Sequence, residues 1–495
     1  MYNIILSRLI LENDNKDKIV VGLVSIWAGG GHIALMDFLF EELKDDKRFT
    51  PYTYIHNDSS FDRINDMLLG KMGPLIDVFY KNLPNEYMSV SALKLVEECE
   101  KFIKKYNPDI VIGTNWGITG AFGLVKKSLK LNFINVLAIP DYGIPSMAGF
   151  PNNHYTRPDY ALVFDPEAKT GLIKERKFPA EKIIVSGYLT KKSTRQLVKI
   201  WRKKSKAELV KAIQEDIGKN YSRNISPNKR TILIAGGAGG IIGKSYDLLK
   251  MITEYQESHP EFIQNNQFLI ITGKTTKYFD KIFKHQRKKE ENWSNIIPIP
   301  WIEHETYAKI QLLADFPILT TIAPASMNEL IEASCGPIVV YKHRRGQEWP
   351  HVRFIAKNGL GYYIPKKQDL LNVLLRGFSE IEKDRFLKNA TKYHDRQAKE
   401  MVNLPDDIFS LASKSISSKR KSDKNRIKLN INFNLISPKV WLSILVLMIP
   451  SSILFGFVQY KKGSSKISNN KYTKMFMSLL SKLNPFSTNA EEETR

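Results

Sequence analysis

The stretch that decides the fold runs from Ile19 to Asp46: IVVGLVSIWAGGGHIALMDFLFEELKDD. It starts as a continuous apolar run, the pattern of a strand buried on both faces. It then breaks on three glycines, Gly29, Gly30 and Gly31, and meets a histidine, His32. From there apolar and charged residues recur with helical spacing. Strand, glycine turn and helix in that order predict the opening unit of a doubly wound α/β domain.

The rest of the first half repeats the alternation. VEECEKFIKKY reads as a helix, and the segment after Pro108-Asp109, IVIGTN, as a strand. NFINVLAIPDY, DYALVFDP and KIIVSGY read as further strands. Between Lys191 and Arg230 the pattern lapses into a charged, helix-prone stretch that turns loop-like around Pro227. A second strand, glycine turn and helix then open with RTILIAGGAGGIIGKSYDLLKMITEY. QFLIITGKT, IIPIPWI, FPILTT, GPIVVYK and LGYYIP follow as strands. RFLKNATKYHDRQAKEMVNLPDDIFSLAS reads as one or two helices broken around Pro405. Two tandem α/β domains are expected.

Length agrees, since 495 residues exceed what one ordinary core accommodates. The two cysteines, Cys99 and Cys335, are far apart and lack metal-ligand spacing, which argues against a disulfide framework or zinc site and for a reducing compartment. Arg8 interrupts the apolar run at the N-terminus and no small-residue cleavage site follows, so no signal peptide is read. The net charge of +23 calls for an anionic partner such as nucleic acid, anionic lipid or a phosphate-bearing substrate. No nucleic-acid recognition module appears, and part of the charge sits in the tail, so nucleic acid is not expected as the partner.

The tail points to a membrane. Residues 440–460, VWLSILVLMIPSSILFGFVQY, carry no charge and match the ~20 residues needed to span a bilayer. Trp441 and Tyr460 lie near the two ends, where aromatic side chains favour the interface. Pro450 leaves a kinked or re-entrant path open, and a buried helix is the alternative. The preceding stretch, Lys414 to Lys428, holds seven basic residues and one acid, suited to an anionic lipid surface. These features predict a single-pass membrane protein with its body in the cytoplasm.

A glycine turn feeding a helix has a physical use. Glycines admit close approach, and the helix N-terminus offers free N–H groups and the positive end of a dipole to a phosphate. A tight βα turn needing glycine for packing alone is the plainer reading. AGGIIGKS, Ala238 to Ser245, falls one glycine short of a P-loop, and no acid-tipped strand follows it as an NTPase requires. His32, in the first turn of its helix, faces whatever fills the cleft and is a candidate general base. A packing or capping histidine is the alternative.

With these motifs in order, the chain resembles the GT-B glycosyltransferases of the monogalactosyldiacylglycerol synthase and diacylglycerol glucosyltransferase type, and more distantly the peptidoglycan enzyme that adds N-acetylglucosamine to a lipid-linked muramyl peptide. The resemblance runs from about Ile19 to Ser413. It rests on GGGH; on IPDYG, with Asp141 and Tyr142, against the family's TDF/TDY; and on IIVSGYLT against VxGIPI, keeping Gly187. ILIAGGAGG is similar to the GGGxG donor loop. TIAPASMNELIEA is similar to AGPGTIAEAL, keeping Pro324, Ser326 as a hydroxyl, and Glu329. RGQEWPHVRFIAKNGLG is similar to PGQExxNxxxxxxNGxG, keeping Gly346, Gln347, Glu348, Asn358, Gly359 and Gly361.

The resemblance implies a GT-B fold: two Rossmann-like domains facing a cleft, here with a C-terminal transmembrane helix. It implies an inverting hexosyltransferase that takes a UDP-sugar and a lipid acceptor, diacylglycerol first and a polyprenyl-linked acceptor second. A catalytically degenerate membrane scaffold is a further alternative. It places His32 as base, with Asp141 as second base or as the partner that orients it, and Gly29 to Gly31 beside the acceptor. On the donor side it places Gly236, Gly237, Gly239 and Ser326 near the diphosphate, Glu329 on the ribose, and Gln347 and Glu348 on the sugar. No DxD motif stands in a suitable loop, so no cofactor or obligatory metal is expected. Ala323, Ala325 and Leu189 depart from the family pattern. The expected boundaries are an acceptor domain at 1–190, a linker at 191–228, a donor domain at 229–395 and closing helices at 396–415. A basic linker at 416–439, the span at 440–460 and a basic tail at 461–495 complete them.

Overall fold

The computed structural model describes residues 18–26, 30–56, 84–143, 156–218, 225–236, 243–273, 276–288, 291–343 and 348–419. The expected span at 440–460 lies outside them. Among the described residues no helix is long and apolar enough to cross a membrane.

The first half carries strands β1 (Ile19–Ile26), β2 (Phe49–His56), β3 (Ile110–Gly113), β4 (Ile134–Ile139), β5 (Tyr160–Val163) and β6 (Ile183–Val185). They form one sheet in the order β2-β1-β3-β4-β5-β6, and the pairings are parallel. Helices α1 (Gly30–Leu43), α2 (Pro84–Tyr106), α3 (Trp116–Ser128) and α4 (Pro166–Arg176) connect them, and α5 (Lys192–Trp201) and α6 (Lys206–Ile217) follow β6. The apolar run of β1 is buried along nearly its whole length, as a central parallel strand requires. Strand β2 has no counterpart in the sequence reading. Pro51 in FTPYTYIH argues against a central strand, and the sheet tolerates it because β2 is an edge.

The second half repeats the plan. Strands β7 (Arg230–Ala235), β8 (Asn266–Gly273), β9 (Ile296–Pro300), β10 (Phe316–Leu319), β11 (Ile338–Val340) and β12 (Gly361–Tyr363) form a sheet in the order β12-β11-β10-β7-β8-β9. Its helices are α7 (Gly243–Ser258), α8 (Pro260–Asn265), α9 (Thr276–Arg287), α10 (His304–Leu313), α11 (Pro324–Ala333), α12 (Trp349–Lys357) and α13 (Lys367–Arg376). Two parallel-sheet Rossmann-like domains in one chain are the GT-B architecture.

The charged stretch after Lys191 is less of a linker than its composition suggests. Leu209, Val210 and Ile213 lie on one face of α6, and Val210 and Ile213 join the second domain's core beside Leu313 and Leu330. The chain then closes on itself. Helix α14 (Glu380–Met401) puts Phe386, Ala390 and Tyr393 into the second core. Helix α15 (Leu404–Lys419) puts Leu404, Ile408, Leu411 and Ala412 into the first, against Leu35 and Leu39. The break expected around Pro405 falls between them, where proline suits the first turn of α15.

Candidate active site

The strand ends of both sheets bring the site together. His32 is the third residue of α1, whose first turn follows β1. Its Nδ1 lies 2.6 Å from the carbonyl oxygen of Thr114, just past β3. A carbonyl only accepts, so Nδ1 carries a hydrogen, and in the neutral ring Nε2 is the acceptor nitrogen. The Thr114 hydroxyl in turn donates to the Ser25 hydroxyl of β1 at 3.0 Å, fixing the support. Among the described residues, a Cβ built on Gly31 meets nothing within 4 Å.

Asp141 follows β4 with its side chain only 16% exposed. Its Oδ1 lies 3.2 Å from Nε2 of His351, a residue of α12 in the other domain. The contact is close enough for an ion pair without being aligned as a straight hydrogen bond. Burial would raise the Asp141 pKa, but His351, with a smaller pull from His32, brings it below the usual carboxylate value. His351 also loses solvent, yet Asp141, Glu348 and the Ile322 carbonyl together raise its pKa.

The neighbouring turn is equally committed. Tyr142 stacks on Phe354 of α12, ring centroids 4.1 Å apart. The Tyr142 and Tyr393 hydroxyls are 2.5 Å apart, and Tyr393 donates to Asn328 Oδ1 at 2.8 Å. Asn328 Nδ2 donates to the Tyr188 carbonyl at 3.0 Å, and the Tyr188 N–H donates to Gln397 at 2.7 Å. This buried chain of polar groups ties both domains to α14. Gly187 sits against it so tightly that a Cβ there would lie 1.9 Å from the Gln397 carbonyl oxygen.

On the donor side, Ser326 lies in the first turn of α11 and is half-buried. Ala323 at the N-cap has no side-chain oxygen to offer that turn's N–H groups, which suits them to an anion. Glu329 comes one turn later, its side chain 16% exposed, with Oε1 3.9 Å from His304 Nδ1. Burial pushes Glu329 up to about 7 against the opposing pull of Lys191 and Gln311. Burial, aided by Lys191, pushes His304 down to about 4. Glu348 is buried and turns back: its Oε2 accepts from the Ile322 N–H at 3.1 Å, fastening the start of α12 to the loop before α11. Gly236 follows β7 and Gly30 opens α1. Gly29, Gly237, Gly239 and Gln347 lie outside the described residues.

The structure thus brings His32, Asp141 and Glu348 to one seam and sets Glu329 with Lys191 and His304. His351, Thr114 and Asn328 were not singled out in the sequence. For His351 a signal existed: it stands where the motif PGQExxN has its asparagine. Among the described residues no group of three His, Cys, Asp or Glu side chains is placed to hold a metal ion.

The sequence matches no protein-family model. It is similar to two curated proteins with the same description, UDP-N-acetylglucosamine–N-acetylmuramyl-(pentapeptide) pyrophosphoryl-undecaprenol N-acetylglucosamine transferase. The one from Oenococcus oeni is 24% identical over 311 residues, covering 61% of this chain and 73% of that protein. The one from Bacillus cereus is 22% identical over 398 residues, covering 78% of this chain and 95% of that protein. Among solved structures, a glycosyltransferase from Rickettsia africae aligns with a TM-score of 0.49 at 13% identity, covering 81% of this chain and 99% of that one.

Proposed function

We propose that the protein is a UDP-sugar-dependent hexosyltransferase that moves N-acetylglucosamine onto a polyprenyl-diphosphate-linked sugar, with inversion. The observation that carries the reading is His32: its ring is held by Nδ1 to Thr114, which leaves Nε2 of the neutral ring to accept a proton. In the reaction the acceptor hydroxyl gives its proton to Nε2, its oxygen bonds to the anomeric carbon, and the bond from that carbon to the diphosphate breaks. UDP leaves against the N–H groups at the start of α11, which stabilise the charge that develops. Ser326 supports the diphosphate and Glu329 the ribose. By the resemblance, Gly236, Gly237 and Gly239 would serve the diphosphate and Gln347 the sugar.

The expected diacylglycerol acceptor takes second place. The curated relatives are described as acting on an undecaprenyl-linked muramyl pentapeptide, and their likeness spans both domains. The uncharged stretch at 440–460 serves this acceptor too, since either lipid stays in the bilayer. Basic residues at 414–428 would add attraction to anionic lipid.

The test supplies labelled UDP-N-acetylglucosamine, UDP-glucose or UDP-galactose with vesicles holding either polyprenyl-diphosphate muramyl pentapeptide or diacylglycerol. Label from UDP-N-acetylglucosamine in the polyprenyl product, lost in His32→Ala, is expected. Label in diacylglycerol instead would overturn the acceptor, and full activity of His32→Ala would overturn the base.

A further inference from the structure

Three successive residues after β4 each dock on one face of α12 from the opposite domain. The Asp141 carboxylate meets His351, and the Tyr142 ring stacks on Phe354. Gly143, at φ +66°, approaches Pro350 so closely that a Cβ there would lie 2.9 Å from Pro350 Cβ. Only the first contact carries charge, and it is buried: His351 is 1% exposed. Its Nδ1–H donates to the Ile322 carbonyl at 3.1 Å, and Nε2 faces Asp141 Oδ1 at 3.2 Å. As imidazolium the ring would carry a proton on each nitrogen, one donated to the Ile322 carbonyl and one turned towards the Asp141 carboxylate 3.2 Å away.

The titratable groups around this ring favour the charge. Asp141 faces it from the first domain and Glu348 from the N-cap of its own helix. The Tyr142 ring stands edge-on, centroid 6.3 Å away. His32 of α1 acts on the pair through Asp141. Breaking such a pair strands a buried charge, which costs far more than the intact pair contributes.

We propose that His351 is a positioning residue: as imidazolium it clamps Asp141 across the two domains, so that closure depends on its proton and His32 remains the base. An Asp141 held in an interdomain ion pair orients and stabilises charge; it does not compete for the acceptor proton. The catalytic half of this statement rests on the transferase reading above, while the clamp does not.

The sign of the pH dependence follows. His351 is raised above 6.5, so its contribution is whole below about 6.5 and is lost as pH rises through its folded value. Asp141 is lowered from 3.8, so its contribution is whole above that value and is lost in stronger acid. The clamp is therefore closed from about pH 4 to 6.5 and releases on the alkaline side.

The experiment follows thermal unfolding of the full chain in detergent from pH 5 to 9, for wild type, His351→Asn, Asp141→Asn and the double variant. The wild-type midpoint should fall on the alkaline side by about 5 °C or more, and His351→Asn should lose that step. The double variant should lose no more than the worse single variant. An alkaline fall unchanged in His351→Asn, or losses that simply add, would overturn the clamp. Nitrogen-15 histidine spectra give a second readout: a doubly protonated ring, absent from His351→Asn, should persist above pH 6.5 and titrate lower in Asp141→Asn. A singly protonated ring at pH 6.5 would overturn it. Steady-state transfer adds the catalytic arm. In wild type the donor KM should rise several-fold on the alkaline side, and that limb should vanish in His351→Asn. An unchanged limb would overturn the positioning role. Absent transfer with the melting result intact would uphold the clamp and overturn only the transferase reading.

Discussion

Asp141 and Glu329 are both carboxylates enclosed between the two domains, equally exposed at 16%, and they answer burial in opposite ways. Asp141 faces His351, whose other nitrogen is bonded to the Ile322 carbonyl, and it stays ionised below its usual value. Glu329 has a distant lysine, a glutamine and a histidine too deprived of solvent to take a proton, and it rises to about 7. Depth alone does not set the charge of a buried acid. The cation across from it does, and the geometry that holds that cation decides. The difference suits the roles proposed: one acid joins the domains for as long as His351 keeps its proton, and the other stands ready to accept hydrogen bonds from a ribose once a ligand arrives.

The strongest way to break this comparison is to remove the cation. His351→Ala should strand Asp141 and cost about 3–5 kcal/mol in chemical unfolding at neutral pH. A loss under ~1 kcal/mol would mean that water reaches Asp141 and the pair carries no weight. The next test should have the opposite sign. With Glu329 at about 7 against an ordinary 4.5, the folded protein holds a proton the unfolded chain has released, so stability falls as pH rises between those values. Glu329→Gln should abolish that fall, gaining on the order of 3 kcal/mol at pH 8. Calorimetry with UDP should show the same variant binding about tenfold more weakly, since a hydrogen bond to a carboxylate is worth more than one to an amide. A destabilised Glu329→Gln would place Glu329 in a structural bond.

Smaller effects probe the uncharged part of the seam. Gly187→Ala drives a methyl into the Gln397 carbonyl and should cost about 2–3 kcal/mol, read in chemical unfolding. Tyr393→Phe leaves Asn328 Oδ1 with the longer, 3.3 Å contact to Tyr142 and should cost about 1 kcal/mol. If Tyr393→Phe cost as much as His351→Ala, the polar chain through Asn328, and not the ion pair, would be what joins the domains.

Much of the fold was legible because parallel strands buried on both faces write themselves as apolar runs. IVVGLVSI and RTILIA each read as a strand and each is one. FTPYTYIH was not legible, since an edge strand needs neither a continuous apolar run nor every backbone N–H. The residues between Lys191 and Arg230 looked like linker because charged residues crowd the stretch, yet three apolar positions on α6 suffice to dock it. In the site, His32 was legible from its place after the glycines, and Glu348 from its motif. What Glu348 does was not, because its carboxylate folds back to the Ile322 N–H from 26 residues away in sequence.

The sequence by itself determined two doubly wound sheets and the types of residue delivered to strand ends. Those follow from local periodicity and backbone freedom, which neighbouring residues settle among themselves. Only the tertiary structure decided which charges meet. Asp141 and His351 are 210 positions apart, and the ionisation of each depends on the other and on the solvent that the two domains exclude together. Such a pairing has no period and no spacing to read; it exists once the seam between Asp141 and α12 has formed.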